Sequence, residues 1–213
     1  MVDLYMELVQ IYPRGNLQVA DTFLLSVLFT KNELLSMGVN EGQIEVSDLY
    51  IDDDEFNKLY KLWKDPSYLD DFFEENQEFF DDEYWNNITK RKFIADVTSS
   101  APVIFAKIRT LFDENKLDEI FKPLDNIDES KEDYTSIRVK SKFGSINRRI
   151  AFRIYAVKIE NGCYIITGGA IKISKDMLKA PNTHIELNKI NSVYAEFGTF
   201  DDRASFIDFI LEE

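Results

Sequence analysis

The stretch RRIAFRIYAVKIENGCYIITGGAIKIS, residues 148–174, decides the fold class. Phe, Ile, Tyr and Val fill short runs in it, and Glu160-Asn161-Gly162 interrupts them with an Asn-Gly step. Branched and aromatic residues suit a pleated surface, and Asn-Gly accepts the positive φ of a tight hairpin turn. The stretch therefore reads as two or three strands. Alternation places Arg153, Tyr155 and Val157 on one face of the first strand, and Arg149 shares that parity. Gly168-Gly169 is not a phosphate loop, because no GxGxxG or GxxxxGK pattern surrounds it and a strand follows. A bend or bulge in the strand is the expected role.

Reading outward, SIRVKSKFG (136–144) alternates apolar and basic residues as a half-exposed strand, with Gly144-Ser145 as a turn. Downstream, Pro181 opens a helix over NTHIELNKINSVYAEF, and ASFIDFILEE forms another after Gly198. Upstream, Asp125–Tyr134 is a charged loop and the expected boundary between two halves. Before it, LDEIFKPL reads as a short helix ended by Pro123, and Pro102 suits the first turn of PVIFAKIRTLFDEN. Thr89 is the expected cap of a helix running to about Ser99.

The first half is acidic and helical. Phe56, Leu59, Tyr60 and Trp63 fall at i, i+3, i+4 and i+7, and Asp52-Asp53-Asp54-Glu55 before them suits a helix dipole. Ser67 is placed to cap a second helix carrying Tyr68, Leu69, Phe72 and Phe73. Nearer the start, MELVQIYP reads as a strand stopped by Pro13, Val19–Leu35 has mixed helical spacing with Gly38 as a stop, and QIEVSDLYI alternates as a short strand. The expected organisation is α+β, with an acidic, mainly helical domain over 1–100 and a second α+β domain over 101–213.

Composition bounds the chemistry. The 213 residues are 45% hydrophobic and 14% aromatic, enough for a substantial core. The single cysteine, Cys163, excludes a disulfide framework within one chain and a cysteine-based zinc site. The N-terminus lacks signal-peptide character, and the longest apolar run, Thr22–Phe29, is far shorter than the ~20 residues that span a bilayer. The expected compartment is the cytoplasm, with no membrane partner, no metal and no cofactor. Net charge is −14, which argues against nonspecific nucleic-acid binding. The charge is unevenly spread: residues 1–90 carry 20 Asp/Glu against 6 Lys/Arg, whereas residues 136–192 carry 11 Lys/Arg against 3 Asp/Glu.

The acidic runs 52–55 and 70–83 do not fit a calcium loop, because no glycine falls at the turn position, and read as helix starts and solvated faces. A surface that mimics phosphates for a basic partner is the functional counterpart. His184, the only histidine, has no triad or metal partners in the pattern and reads as a first-turn helix residue. The basic residues Lys140, Lys142, Arg148, Arg149, Arg153, Lys158, Lys172, Lys175 and Lys179 lie on or beside the expected strands. Such a sheet could hold RNA backbone or be an ordinary solvated face.

The segment RIYAVKIENGCYIITGGAIKISKDMLKAPNTHIELNKI resembles the C-terminal part of RelE/HigB-like toxins, particularly the phage-derived subgroup. Arg153-Ile154-Tyr155 matches the arginine-containing strand, Tyr164–Gly169 the next strand, Ala170–Lys175 a Lys-rich step, and Pro181–Ile190 the following helix. The resemblance covers about the last half of the chain and implies a RelE-like antiparallel sheet flanked by helices. It implies a toxin–antitoxin-related or phage-defence-related protein that binds RNA or ribosomes, with metal-independent mRNA cleavage as the family's activity. In that chemistry a 2′-hydroxyl attacks the adjacent phosphate and needs a base, an acid and cations. By resemblance, Arg153 stabilises phosphate, Lys172 and Lys175 position or share proton transfer, and Tyr155 stacks on a base or acts as acid, while Lys140, Lys142, Arg148 and Arg149 contact RNA. Two departures are the acidic first half and the tail GTFDDRASFIDFILEE, both able to mask the basic face. The competing reading is a non-enzymatic protein whose acidic helices bind a basic partner or mimic nucleic acid.

Overall fold

The chain was described from a computed structural model covering residues 6–14, 16–17, 20, 22–39, 52–80, 87–123, 134–140, 151–160, 162–173, 181–198, 200 and 203–212. Its strands are β1 (Glu7–Tyr12), β2 (Phe23–Leu28), β3 (Phe121–Pro123), β4 (Tyr134–Lys140), β5 (Ala151–Glu160) and β6 (Cys163–Lys172). Its helices are α1 (Lys31–Ser36), α2 (Glu55–Leu62), α3 (Pro66–Glu75), α4 (Gln77–Phe80), α5 (Lys90–Asp113), α6 (Leu117–Ile120), α7 (Pro181–Phe197) and α8 (Arg203–Glu212). The protein is α+β. The strands form one sheet in the order β1-β2-β6-β5-β4-β3, in which β2 and β6 run parallel and all other neighbours antiparallel.

Helices cover both faces of that sheet. On one face Leu24, Phe152, Ile154, Ala156, Tyr164 and Ile166 pack with residues of α2 to α6. On the other, Phe23, Leu25, Val27, Tyr155, Val157 and Ile165 pack with α1, α7 and α8. Trp63, 1% exposed, stacks obliquely on Phe152 with ring centroids 4.6 Å apart and meets Phe105 edge-on, tying α2 and α5 to β5. Each such buried side chain contributes roughly 1.5–3 kcal/mol by leaving water.

The two-sided cover explains where sequence periodicity misleads. Phe23–Leu28 lies in the span read as helical, yet it is a strand buried on both faces, so nothing in it alternates. The sheet is also shared. β1 and β2 come from the first half and β3 to β6 from the second, and the β2–β6 pairing joins them. A boundary between residues 100 and 101 would cut α5, one 24-residue helix that continues through Pro102. Pro102 therefore does not open a helix; the apolar stripe Phe93, Val97, Ala101, Ile104, Phe105 and Ile108 holds the helix together across it. β3 to β6, the strands of the second half, are antiparallel throughout as expected, and the parallel pairing joins β6 to β2 of the first half. Asp65, not Ser67, caps α3, with Pro66 in the first turn.

Other local readings match. Thr89 accepts from the backbone N–H of Lys92 as the cap of α5. Gly38 follows α1 with φ +89°. Gly162 turns the β5–β6 hairpin at φ +77°. The QIEVSDLYI strand, the Asp125–Tyr134 loop up to residue 133 and the Gly144-Ser145 turn lie outside the described residues.

Candidate functional site: a basic block beside a buried ionic centre

Register gathers the basic positions at one end of the sheet. Lys140, Ala151 and Lys172 stand in one row across β4, β5 and β6, and Arg138, Arg153 and Ala170 stand in another. Rows two residues apart belong to the same sheet face. Arg153 and Lys172 are both half-buried, the Arg153 Nε and Nη1 atoms being enclosed, and each residue has interaction partners within the protein. Arg138 was not singled out among the sequence candidates; only the pairing register shows it to be the direct partner of Arg153. Lys142, Arg148, Arg149 and Lys175 lie outside the described residues, as do the side chains of Arg138 and Lys140.

Tyr155 departs from the expected role. Its side chain is 0% exposed, packed in the core between the sheet and α7. It is therefore sealed from a base that would stack on it. Burial first, and then the Glu186 carboxylate, push its hydroxyl well above the usual phenol range, against the opposing pull of Arg153. Helix α7 belongs to the layer that covers this face, whereas the acidic helices α2 to α4 pack on the opposite one.

Next to Tyr155 lies a group that periodicity could not reveal. Glu55 and Lys58 of α2 and Glu186 and Lys189 of α7 are 2%, 7%, 6% and 6% exposed. Each helix supplies a Glu-x-x-Lys turn, which puts acid and base on the same side of the helix. Lys189 Nζ donates to Glu55 Oε2 at 3.0 Å and to Glu186 Oε1 at 2.9 Å, and Lys58 Nζ lies 3.6 Å from Glu55 Oε1. Because α2 and α7 occupy opposite layers, the Glu55–Lys189 bond bridges the two sides of the sheet.

The sheet is open there for three reasons. The β2–β6 pairing ends at Ser26↔Ile166. At the next step the β5–β6 register slips, Tyr155 pairing with Gly168 and Ala156 with Ile166, so Thr167 is the extra residue of a bulge. Gly168 then runs at φ +150° with no side chain, and a Cβ on it would collide with Glu186 Oε2. A Cβ on Gly169 would meet the Arg153 carbonyl at 2.5 Å and Leu59 Cδ1 at 2.8 Å. Ser26 completes the dock: its hydroxyl accepts from the backbone N–H of Phe56 at 2.9 Å, and Asp54 caps the same turn of α2.

Burial disfavours every charge in this centre, so the pairings decide the protonation states. For Glu55, burial pushes upward, but Lys189 and Lys58 outweigh it and hold the carboxyl below its usual value. For Lys189, burial pulls down, and the two carboxylates outweigh it and hold the ammonium protonated. Glu186 goes the other way: burial, with help from Glu55 and against Lys189, raises it to about 7. Tyr68 of α3 is raised to about 12, by burial first and then by Glu186. Among the described residues the Glu186 Oε2, Tyr155 hydroxyl and Thr167 hydroxyl, all buried, find no hydrogen-bond partner.

The acidic run 52–55 thus has more than a solvated role. Asp54 caps α2, Asp53 holds Lys61 at the surface, and Glu55 enters the core. Among the described residues no group of three or more His, Cys, Asp or Glu could hold a metal ion, and no helix is long and apolar enough to cross a membrane. His184 is exposed on the first turn of α7. No protein-family model, curated protein or solved structure gives a significant match to this chain.

Proposed function

We propose that this protein binds RNA, free or on the ribosome, in the manner of a RelE/HigB-like toxin-related or phage-defence-related protein. The observation that carries the reading is the two-row register of Arg138, Lys140, Arg153 and Lys172 on three adjacent strands. Strands about 4.8 Å apart and rows about 6.6 Å apart set four cationic residues at a backbone spacing like that of neighbouring phosphates. The sequence adds Lys142, Arg148, Arg149, Lys175 and Lys179 in the segments that adjoin this end of the sheet. Arg153 and Lys172 contact phosphate in this reading. Tyr155 supports the floor of the face and neither stacks on a base nor donates a proton from its sealed position. Cleavage is the further step of the same reading, with Arg153 and Lys172 stabilising the phosphorane and Lys175 sharing proton transfer.

The test is RNA binding by the full chain at several salt concentrations, with RNA integrity followed in the same samples. Arg153→Ala and Lys172→Ala are each expected to weaken binding and to lower the salt slope by about 1. Undiminished binding in the double variant, or no binding by folded wild-type protein at low salt, rejects the reading. A second reading, an interaction protein for a basic partner, rests on the exposed Asp71, Glu74, Glu75 and Glu78 along α3 and α4. Loss of partner capture on reversing those four charges, with Arg153→Ala silent, selects it.

A further inference from the structure

The ionic centre contains two acids, and their geometry gives them unequal tasks. Glu55 Oε2 and Glu186 Oε1 hold the same ammonium, at 3.0 and 2.9 Å, so these oxygens lie no more than about 6 Å apart. Glu55 has a second cation, Lys58, at its other oxygen. Glu186 has none there among the described residues: its Oε2 is buried, finds no hydrogen-bond partner among them, and lies against Gly168. Thus one carboxyl is built to stay ionised, and the other is built to take up and release a proton.

We propose that Glu186 is a proton-operated switch, coupled to Glu55 through Lys189, that loosens the Thr167–Gly168 bulge of β6 and the first turns of α7 when it ionises. The inference does not depend on RNA being the ligand. With Glu186 protonated, one carboxylate faces two ammonium groups; with it ionised the charges balance, but its Oε2 becomes a buried anionic oxygen with no hydrogen-bond partner among the described residues, pressed against Gly168. Among the described residues, the charged and titratable groups that bear on Glu186 are Lys189 on its own helix, Glu55 and Lys58 on α2, Tyr68 on α3 and Tyr155 on β5, with Arg153 acting on Tyr155 in turn. Among the described residues only Lys189 bonds it, and burial and the Glu55 carboxylate both disfavour a new negative charge. The raised proton affinity of Glu186 agrees with this geometry and places the change near neutrality. Gly168 of the bulge pairs with Tyr155, two register steps from the Arg153↔Ala170 pair, so loosening the bulge reaches the basic rows along the same two strands.

The experiment is carboxyl-carbon NMR of the full chain from pH 4 to 9, with hydrogen exchange across β6 in parallel. One Glu signal, absent in Glu186→Gln, is expected to titrate near neutrality. In Glu55→Gln its midpoint is expected to fall by about one pH unit, because a repelling charge has gone. Protection of the Thr167 and Gly168 amides, relative to Ile165, is expected to drop at least tenfold between pH 5 and pH 8 in wild type and to stay level in Glu186→Gln. A Glu186 midpoint below pH 5, or one unmoved by Glu55→Gln, overturns the proposal, as does level protection in wild type. If either variant fails to fold, sequential assignment identifies the Glu186 signal in wild type, and Lys58→Met, which removes a cation that favours the ionised form, is expected to raise its midpoint; an unmoved midpoint overturns the proposal.

Discussion

Gly168 and Glu186 constrain each other within a few atoms. Gly168 has φ +150°, and the place of its missing Cβ is taken by a Glu186 oxygen. Gly168→Ala therefore forces strained backbone and displaces a buried carboxyl together, and is expected to cost roughly 2–3 kcal/mol, read as a lower urea midpoint. The carboxyl itself sets a pH dependence of known sign. The folded value of Glu186, about 7, lies above its unfolded value of 4.5, so its contribution to stability is full below pH 4.5 and is lost as pH rises through 7. Glu55 has the opposite sign, contributing above 4.5 and losing its contribution only as pH falls through its lowered value. Between pH 4.5 and 7 the two do not compete. Wild-type stability is expected to decline there by no more than about 3 kcal/mol, and Glu186→Gln to flatten the decline, as denaturant titrations at each pH will show. A wild-type profile that rises across this window would contradict the assignment.

At the scale of elements, α2 is an eight-residue helix whose position depends on its first turn. Asp54 accepts from Phe56 and Asn57, and Ser26 on β2 accepts from Phe56 as well. Asp54→Ala is expected to cost about 1–2 kcal/mol, and Ser26→Ala less, because Asp54 still serves the shared donor. Equal losses in the two variants by urea denaturation would reject that order. The acidic helix start was legible in Asp52–Glu55, and so was the inward stripe of Phe56, Leu59 and Trp63. That Glu55 leaves the solvated set was not legible. Its spacing from Asp54 is that of any first-turn acid, and its partner Lys189 stands 134 residues away.

At the scale of the whole molecule, the Glu55–Lys189 bond joins two helical layers across a six-stranded sheet. Breaking a buried pair from one side leaves an unpaired charge, so Lys189→Met is expected to destabilise by roughly 3–5 kcal/mol. Adding Glu55→Gln is expected to recover part of that loss, giving a double variant less unstable than the sum of the singles. Simple additivity in such a cycle would mean that the two layers are held by apolar packing alone. The acidic layer packs on one side of the sheet, and the Arg153–Tyr155 parity belongs to the other, beneath α7.

Residues 148–174 by themselves determined the β5–β6 hairpin, because Asn161-Gly162 and the apolar runs around it are local signals. Local chemistry likewise determined the Thr89 cap, the Gly38 stop, the end of β1 at Pro13 and the α+β class. Only the tertiary structure decided that β2 is a strand, since a segment buried on both faces has no period to read. It also decided that Tyr155 is sealed, because alternation assigns a face and says nothing of what covers it. The ionic centre is the deepest such case: desolvation and long-range pairing select Glu55 and Glu186 from 39 acidic residues, and neither effect leaves a mark along the chain.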